Sequence, residues 1–270
     1  MLSIDVLIST LNNGIEQIYD NELPEVEGVQ YIIIHQTSKA YEFSNNLSQL
    51  LEKRTDIKYH HTDTLGLSNS RNAALASASS DLVVFCDDDV YFLADAFKTI
   101  RNVFDKDDDV DIATFKVVTP EGEPFKNYQS KAFTHTSKTL FRVSSIEVVA
   151  KRESLQRARL SFDKNFGLGS DLPASEENIF LLDCFKNKLK IKYFPEFINC
   201  HPSESTGKNW SNKAMRSSKL PFMYRCFGYP SYLIFILFSI KKYPEYRKDI
   251  GFFQMLSENI KSLKKYIKVR

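Results

Sequence analysis

A run of five apolar residues, Leu82 to Cys86, ends without a break in three aspartates, Asp87, Asp88 and Asp89. Adjacent like charges repel, and burial at the end of an apolar strand raises the cost of each ionised carboxylate. Each therefore needs hydrogen bonds, a cation or a proton. A hard divalent cation held by one or two carboxylates, with phosphate oxygens filling its remaining positions, meets that need and gives chemistry on a diphosphate. The competing reading is a solvated turn, since Asp is a common turn residue. A second acidic run, Asp107 to Asp109, follows the helix-like segment Asp95 to Phe104 and has Lys106 beside it. It reads as a loop with no catalytic role.

Other residues able to do chemistry lie downstream. Phe162 to Asp171 is a glycine-containing loop. It leads to Ser175-Glu176-Glu177, where Ser175 is placed to cap a helix over Ile179 to Leu189. The glutamate pair is either favourable charge in a first helical turn or a source of a catalytic base. His201 precedes Pro202, as a loop residue or as a metal ligand.

Elements must position these groups. Asp5 to Thr10, Tyr31 to His35, Ile57 to His61 and Leu82 to Cys86 read as short apolar strands of a sheet covered on both faces. Gly66 to Ala78 starts a helix with small residues able to pack closely on the sheet, capped by Ser68 or Asn69. Asp111 to Val118, Ser144 to Lys151 and Lys190 to Phe194 are further strands. Strands alternating with helices predict a parallel α/β sheet. Ligands of such sheets sit beyond the carboxyl ends of the strands, where Ser9, Thr10 and Asn12 would face the three aspartates.

The chain has 270 residues, enough to bury a full core. Its four cysteines are widely spaced without a CxxC pair, which predicts buried reduced thiols of a cytosolic protein. The start of the chain enters a strand at once and carries no secretory signal. A dinucleotide fingerprint and a P-loop are both absent; Gly14 alone is weak support for phosphate binding. The net charge of +2 hides an asymmetry: residues 208–270 hold 14 Lys and Arg against 3 Asp and Glu. A basic tail on an acidic body points to nucleic acid or an anionic membrane as its partner.

In this order and spacing the pieces resemble glycosyltransferase family 2 with a GT-A fold, over about residues 3 to 205. The resemblance rests on Ile8-Ser9-Thr10, on Gly66 to Ala74 with its Arg71-Asn72-Ala73-Ala74, on Phe85 to Asp89 at the DxD position, on Glu176-Glu177, and on Phe194-Pro195-Glu196 with His201. It implies a Rossmann-like, mostly parallel sheet flanked by helices, as a catalytic domain over 1–207 with a helical appendage over 208–270. The donor half would cover about 1–118 and the acceptor half about 119–207. It also implies roles: Ser9, Thr10 and Asn12 lining the nucleotide pocket, Asp63 near the base, Arg71 near the nucleotide or the second aspartate. Asp87 and Asp88 would meet the donor, and Asp89, with His201 and Asp87, would hold Mn²⁺ or Mg²⁺. The family usually has Glu-Asp where this chain has Glu176-Glu177. Register favours Glu177 as base, with Glu176 and Asp171 as alternatives.

The activity implied is inverting transfer of a sugar from a nucleotide-diphosphate donor, UDP being the common choice, to a glycan or lipid-linked glycan of the bacterial surface-polysaccharide kind. Two rivals remain: a nucleotidyltransferase, whose Gly-rich basic N-terminal signature is missing, and a non-catalytic nucleotide-sugar-binding module. In the tail, Leu220 to Ile240 is apolar and aromatic but broken by Pro221, Arg225 and Pro230, too short to span a bilayer. It reads either as a monotopic element over 220–270 on the inner face of the cell membrane or as a cap on the catalytic domain. Its aromatics cluster with aliphatics and do not interleave with basic residues, which argues against nucleic acid.

Overall fold

Side chains alternate faces along a strand, so strands that are apolar throughout need cover on both sides. The computed structural model describes residues 1–20, 23–37, 44–202 and 210–269. Its first half runs β1 (Ile4–Leu11), α1 (Ile15–Asp20), β2 (Val29–Gln36), α2 (Asn45–Lys53), β3 (Ile57–Thr62), α3 (Leu67–Ser77), β4 (Leu82–Asp87), β5 (Tyr91–Phe92) and α4 (Ala96–Lys106). Next come β6 (Ile112–Val118), β7 (Phe133–Thr134), β8 (Val148–Lys151), α5 (Arg152–Arg157), α6 (Glu176–Lys186) and β9 (Ile191–Cys200). The chain closes with α7 (Lys213–Ser217), α8 (Lys219–Phe227), α9 (Ser231–Tyr246) and α10 (Phe252–Val269).

The described strands form one sheet in the order β3-β2-β1-β4-β8-β6-β9-β5, with β7 also on β9. β3, β2, β1 and β4 are parallel, and β8 enters antiparallel between β4 and β6. Alternation splits the core in two. Ile4, Val6, Ile8, Val84 and Cys86 face Phe97, Ile100 and Phe104 of α4. Leu7, Ile32, Val83 and Phe85 face Ala74 of α3 with Phe180 and Leu181 of α6. The expected α/β class with a mostly parallel sheet is what the chain adopts.

Local chemistry moves several expected boundaries. The strand expected from Ser144 begins only at Val148, because Ser144 and Glu147 form a capping box around a short 3-10 turn. The strand expected over Lys190–Phe194 continues to Cys200: the β6–β9 register shifts between Thr114 and Lys116, opposite Phe194-Pro195-Glu196, so the proline costs no regular ladder bond. Neither predicted cap forms. Gly66 occupies the N-cap of α3, while Ser68 donates to the Phe166 carbonyl and Asn69 to that of Leu65. Ser175 precedes α6 in the left-handed region, φ 70°, without a side-chain cap bond.

The expected boundary at 207/208 lies outside the described residues. Beyond it, Leu220, Met223 and Cys226 of α8 share a third core with Ile179 and Leu182 of α6. Arg225 of α8 pairs with Asp163 (2.8 Å) and Asp183 (2.6 Å), and Lys186 donates to the Cys226 carbonyl at 2.9 Å. All four cysteines are free and buried.

Candidate active site

The carboxyl ends of β1 and β4 lie side by side, with Ser9 in register with Asp87. Each of the three aspartates resolves its charge differently. Asp87 accepts from the Arg71 guanidinium at 3.0 Å. Asp88 accepts from Thr10 Oγ1 at 2.5 Å; burial pushes its carboxyl up, the charges of Asp87 and Asp89 add to the rise, and the Thr10 bond opposes it. Asp89 lies 3.3 Å from His201 Nε2, whose hydrogen bond holds that carboxyl below its ordinary value against the effect of burial. For His201, burial works downward, but the Asp89 bond and charge outweigh it and the imidazole is raised. The spare atoms of that pair, Asp89 Oδ1 and His201 Nδ1, are buried with no hydrogen-bond partner.

His201 reaches this place because β5, two residues after Asp89, pairs antiparallel with the end of β9: Tyr91 with Cys200 and Phe92 with Asn199. Gly14 makes the close approach from the other side. A Cβ there would stand 2.2 Å from Asp88 Oδ2 and 3.1 Å from Thr10 Oγ1, so a larger residue would have to displace the Thr10–Asp88 pair.

Arg71 is the hub. It is buried on α3, with Nη1 donating to Glu176 at 2.8 Å and Nη2 to Asp87 and to Ser145 Oγ, the latter at 2.8 Å. Its guanidinium carbon sits 5.5 Å from the Phe162 ring centre, and Phe162 stacks on Phe180 of α6 at 4.2 Å. A buried cation needs such partners to offset its desolvation. One side chain thus joins the end of β4 to the head of α6.

That pairing separates the three candidate bases. Glu176 is buried and taken by Arg71. Asp171 is exposed and pairs with Lys265 of α10 at 2.8 Å. Glu177, half-buried beside them, makes no ion pair among the described residues; burial, then the charge of Glu176, push its carboxyl up to about 8. Gly167, at φ 103°, lets the preceding loop turn tightly under Glu176, where a Cβ would come within 3.2 Å of Glu176 Cγ.

Of the predicted nucleotide-lining residues, Ser9 accepts from Ser70 Oγ at 2.8 Å, binding β1 to α3. Asn12 is exposed just past β1 with φ 49°, its carbonyl 2.9 Å from His35 Nε2. Asp63 is exposed just past β3, at the same edge of the sheet. Ser145 and Phe162 went unrecognised as site residues in the sequence, and Gly14 was noted only as a lone glycine. Ser145 and Phe162 carry no local signal, and Gly14 is legible only once Asp88 is known to lie against it.

Among the described residues no three His, Cys, Asp or Glu side chains converge as a ready-made metal cage. Asp89 Oδ1, buried and without a hydrogen-bond partner, is open to a cation that completes its shell elsewhere, and His201 could join it only by giving up its Nε2 contact with Asp89.

The sequence profile described as glycosyl transferase family 2 matches residues 5–160. No curated protein sequence matches the chain. Among solved structures, S. aureus TarS superimposes with a TM-score of 0.60 at 14% identity, covering 97% of this chain and 50% of TarS. The chain therefore spans half the length of that protein. TarS 1–349 in complex with UDP gives 0.59 at 13% identity, covering 100% of this chain and 92% of that one. The complex with UDP-GlcNAc gives 0.57 at 14%, covering 100% and 93%. At these identities the likeness is one of fold. The matched residues make up more than half of this chain, which therefore belongs to glycosyl transferase family 2.

Proposed function

We propose that this chain transfers a sugar with inversion from a UDP-sugar to a hydroxyl of a glycan or lipid-linked glycan, with Glu177 as base. The observation that carries the reading is the division of labour around Arg71. The guanidinium engages Asp87 and Glu176, leaving Glu177 as the half-buried carboxylate without an ion pair at the same place. A base with a raised pKa has a stronger affinity for the acceptor proton, provided it is ionised when the acceptor arrives.

Residues 1–118 would hold the donor, with Ser9, Thr10, Asn12 and Asp63 along the nucleotide and Asp87 and Asp88 toward ribose and sugar. Residues 119–207 would hold the acceptor, and 208–270 would brace α6 from outside. Asp89 and His201, with Asp87 nearby, would hold Mn²⁺ or Mg²⁺, which when bound neutralises charge on the leaving diphosphate. Glu177 takes the acceptor proton as the hydroxyl oxygen bonds the anomeric carbon. The bond from that carbon to the phosphate oxygen breaks, and its electron pair leaves with UDP. Arg71 acts through Asp87 and Glu176 by fixing both halves of the site, since orientation supplies much of the rate in such a displacement. Free, buried cysteines fit a reducing compartment such as the cytoplasm.

TarS 1–349 has been seen with UDP-GlcNAc, which makes an N-acetylhexosamine donor the first to try here, ahead of a hexose. The test follows UDP release from UDP-GlcNAc with Mn²⁺ across a panel of glycan and lipid-linked acceptors. Glu177→Gln should bind donor normally and lose transfer. Near-normal transfer would move the base to Glu176 or Asp171. Donor binding without transfer to any acceptor would favour a binding module, and turnover of sugar 1-phosphate with UTP would favour a nucleotidyltransferase.

A further inference from the structure

Helix α9 is packed inside out. Its buried residues Ser231, Phe235, Ser239 and Tyr246 are spaced i, i+4, i+8 and i+15, which places them on one face. Two of the four are serines, both fully buried, and neither hydroxyl has a hydrogen-bond partner. On the opposite face Leu233, Ile236, Leu237 and Ile240 are 64%, 42%, 59% and 57% exposed. Tyr232 and Tyr243 flank that stripe and are also exposed. A solvent-facing helix buries its leucines and shows its serines. This helix does the reverse, so its outer face is made for an apolar medium.

The surroundings of the stripe select the medium. Lys241 stands beside Leu237 and Ile240, and Arg247 and Lys248 follow the helix end, all exposed. Phe252 of α10 packs edge-on against Tyr243 at 6.2 Å, and its neighbour Phe253 is 83% exposed. An apolar strip with tyrosines at its margin and cations beyond is the pattern of a helix lying in a lipid headgroup boundary. No described helix is long and apolar enough to cross a membrane. Anionic headgroups supply the counter-charge that these exposed cations call for.

We propose that α9 lies in the surface of an anionic lipid bilayer, with Leu233, Ile236, Leu237 and Ile240 entering the acyl boundary and Lys241, Arg247 and Lys248 meeting the headgroups. The neighbouring α8 is a different matter: Leu220, Met223 and Cys226 are buried. Arg225 pins it to Asp163 and Asp183, the latter on the helix that begins at Glu176. The appendage is thus a cap in α8 and a lipid-facing element in α9. Because one is bolted to α6 and continues into the other, docking would hold the head of α6 at a set height above the lipid. The inference stands independently of the reaction proposed above.

The test is co-sedimentation of the full chain with vesicles of phosphatidylcholine alone or mixed with phosphatidylglycerol, at low and raised salt. Binding is expected to mixed vesicles and to weaken with salt. Leu233→Glu/Leu237→Glu should reduce partitioning at least about tenfold, and Lys241→Gln/Lys248→Gln roughly thirtyfold on anionic vesicles only. Unchanged melting temperature and UDP binding in both variants would show that the fold is intact. Absence of vesicle binding, or binding that survives Leu233→Glu/Leu237→Glu, would overturn the proposal. So would a dimer in light scattering that the same pair abolishes while vesicle binding stays at background.

Discussion

Two runs of three aspartates, twenty residues apart, meet opposite fates. Asp107 to Asp109 follow a helix and lie at the surface, where Asp107 pairs with Lys192 at 2.6 Å, Asp109 pairs with Lys190, and the Asp108 carbonyl accepts from Lys151. Flexible lysines answer that charge, and solvent screens it. Asp87 to Asp89 end a central parallel strand, where a buried guanidinium, a threonine hydroxyl and an imidazole each take one carboxylate. Identical residues thus become a solvated turn or the centre of a site according to the element that precedes them. A parallel strand end delivers its charges to the crevice where ligands sit, whereas a helix end delivers them to water.

The largest effect should come from breaking the first run's internal counterion. Arg71→Met leaves the buried Glu176, and the partly exposed Asp87, without their cation, and should cost about 3–5 kcal/mol in urea unfolding and abolish transfer. Stability within 1 kcal/mol of the native chain, about the most a surface pair contributes, would put Arg71 on a par with the lysines around Asp107 to Asp109. Next, Glu177→Gln should lower transfer by roughly 10²–10⁴-fold with donor affinity unchanged. The same base gives a pH signature. The acid limb of kcat/KM should fall about tenfold per pH unit below the raised Glu177 value near 8; a limb near 4.5 would contradict it.

The linkage runs the other way for stability. Because the folded carboxyl is raised above its unfolded value, the stability it contributes is complete at acid pH and is lost as pH rises through about 8. Glu177→Gln should therefore melt above the native protein at pH 9, and at or below it at pH 5. The smallest effect belongs to the second run: Asp107→Asn/Asp108→Asn/Asp109→Asn should leave transfer within about twofold and stability within roughly 1 kcal/mol.

Much of the site was legible because the residues that carry it sit at strand ends and helix starts. Leu82 to Asp89 stands out as an apolar run ending in carboxylates, whereas Arg71 and Glu176-Glu177 were marked as site residues by the resemblance to the family. What was hidden depends on long-range pairing. The β5–β9 ladder that brings His201 to Asp89 uses a two-residue strand too short to show any periodicity. Ser145 reaches Arg71 across 74 positions. Ser175, a good capping residue by type, is held left-handed by the turn before α6 and caps nothing. In the tail, Pro221, Arg225 and Pro230 mark breaks in the apolar stretch Leu220 to Ile240, but only the fold shows that α8 buries its apolar face while α9 exposes one.

The central claim is that Asp89, with His201, carries a donor-linked cation that its counterpart Asp109 does not. Titration of UDP into the native chain, Asp89→Asn and Asp109→Asn, each with Mn²⁺ and with EDTA, tests it most directly. Binding should depend on metal in the native chain and in Asp109→Asn, and Asp89→Asn should lose that dependence. Equal, metal-dependent affinity in all three proteins would contradict it.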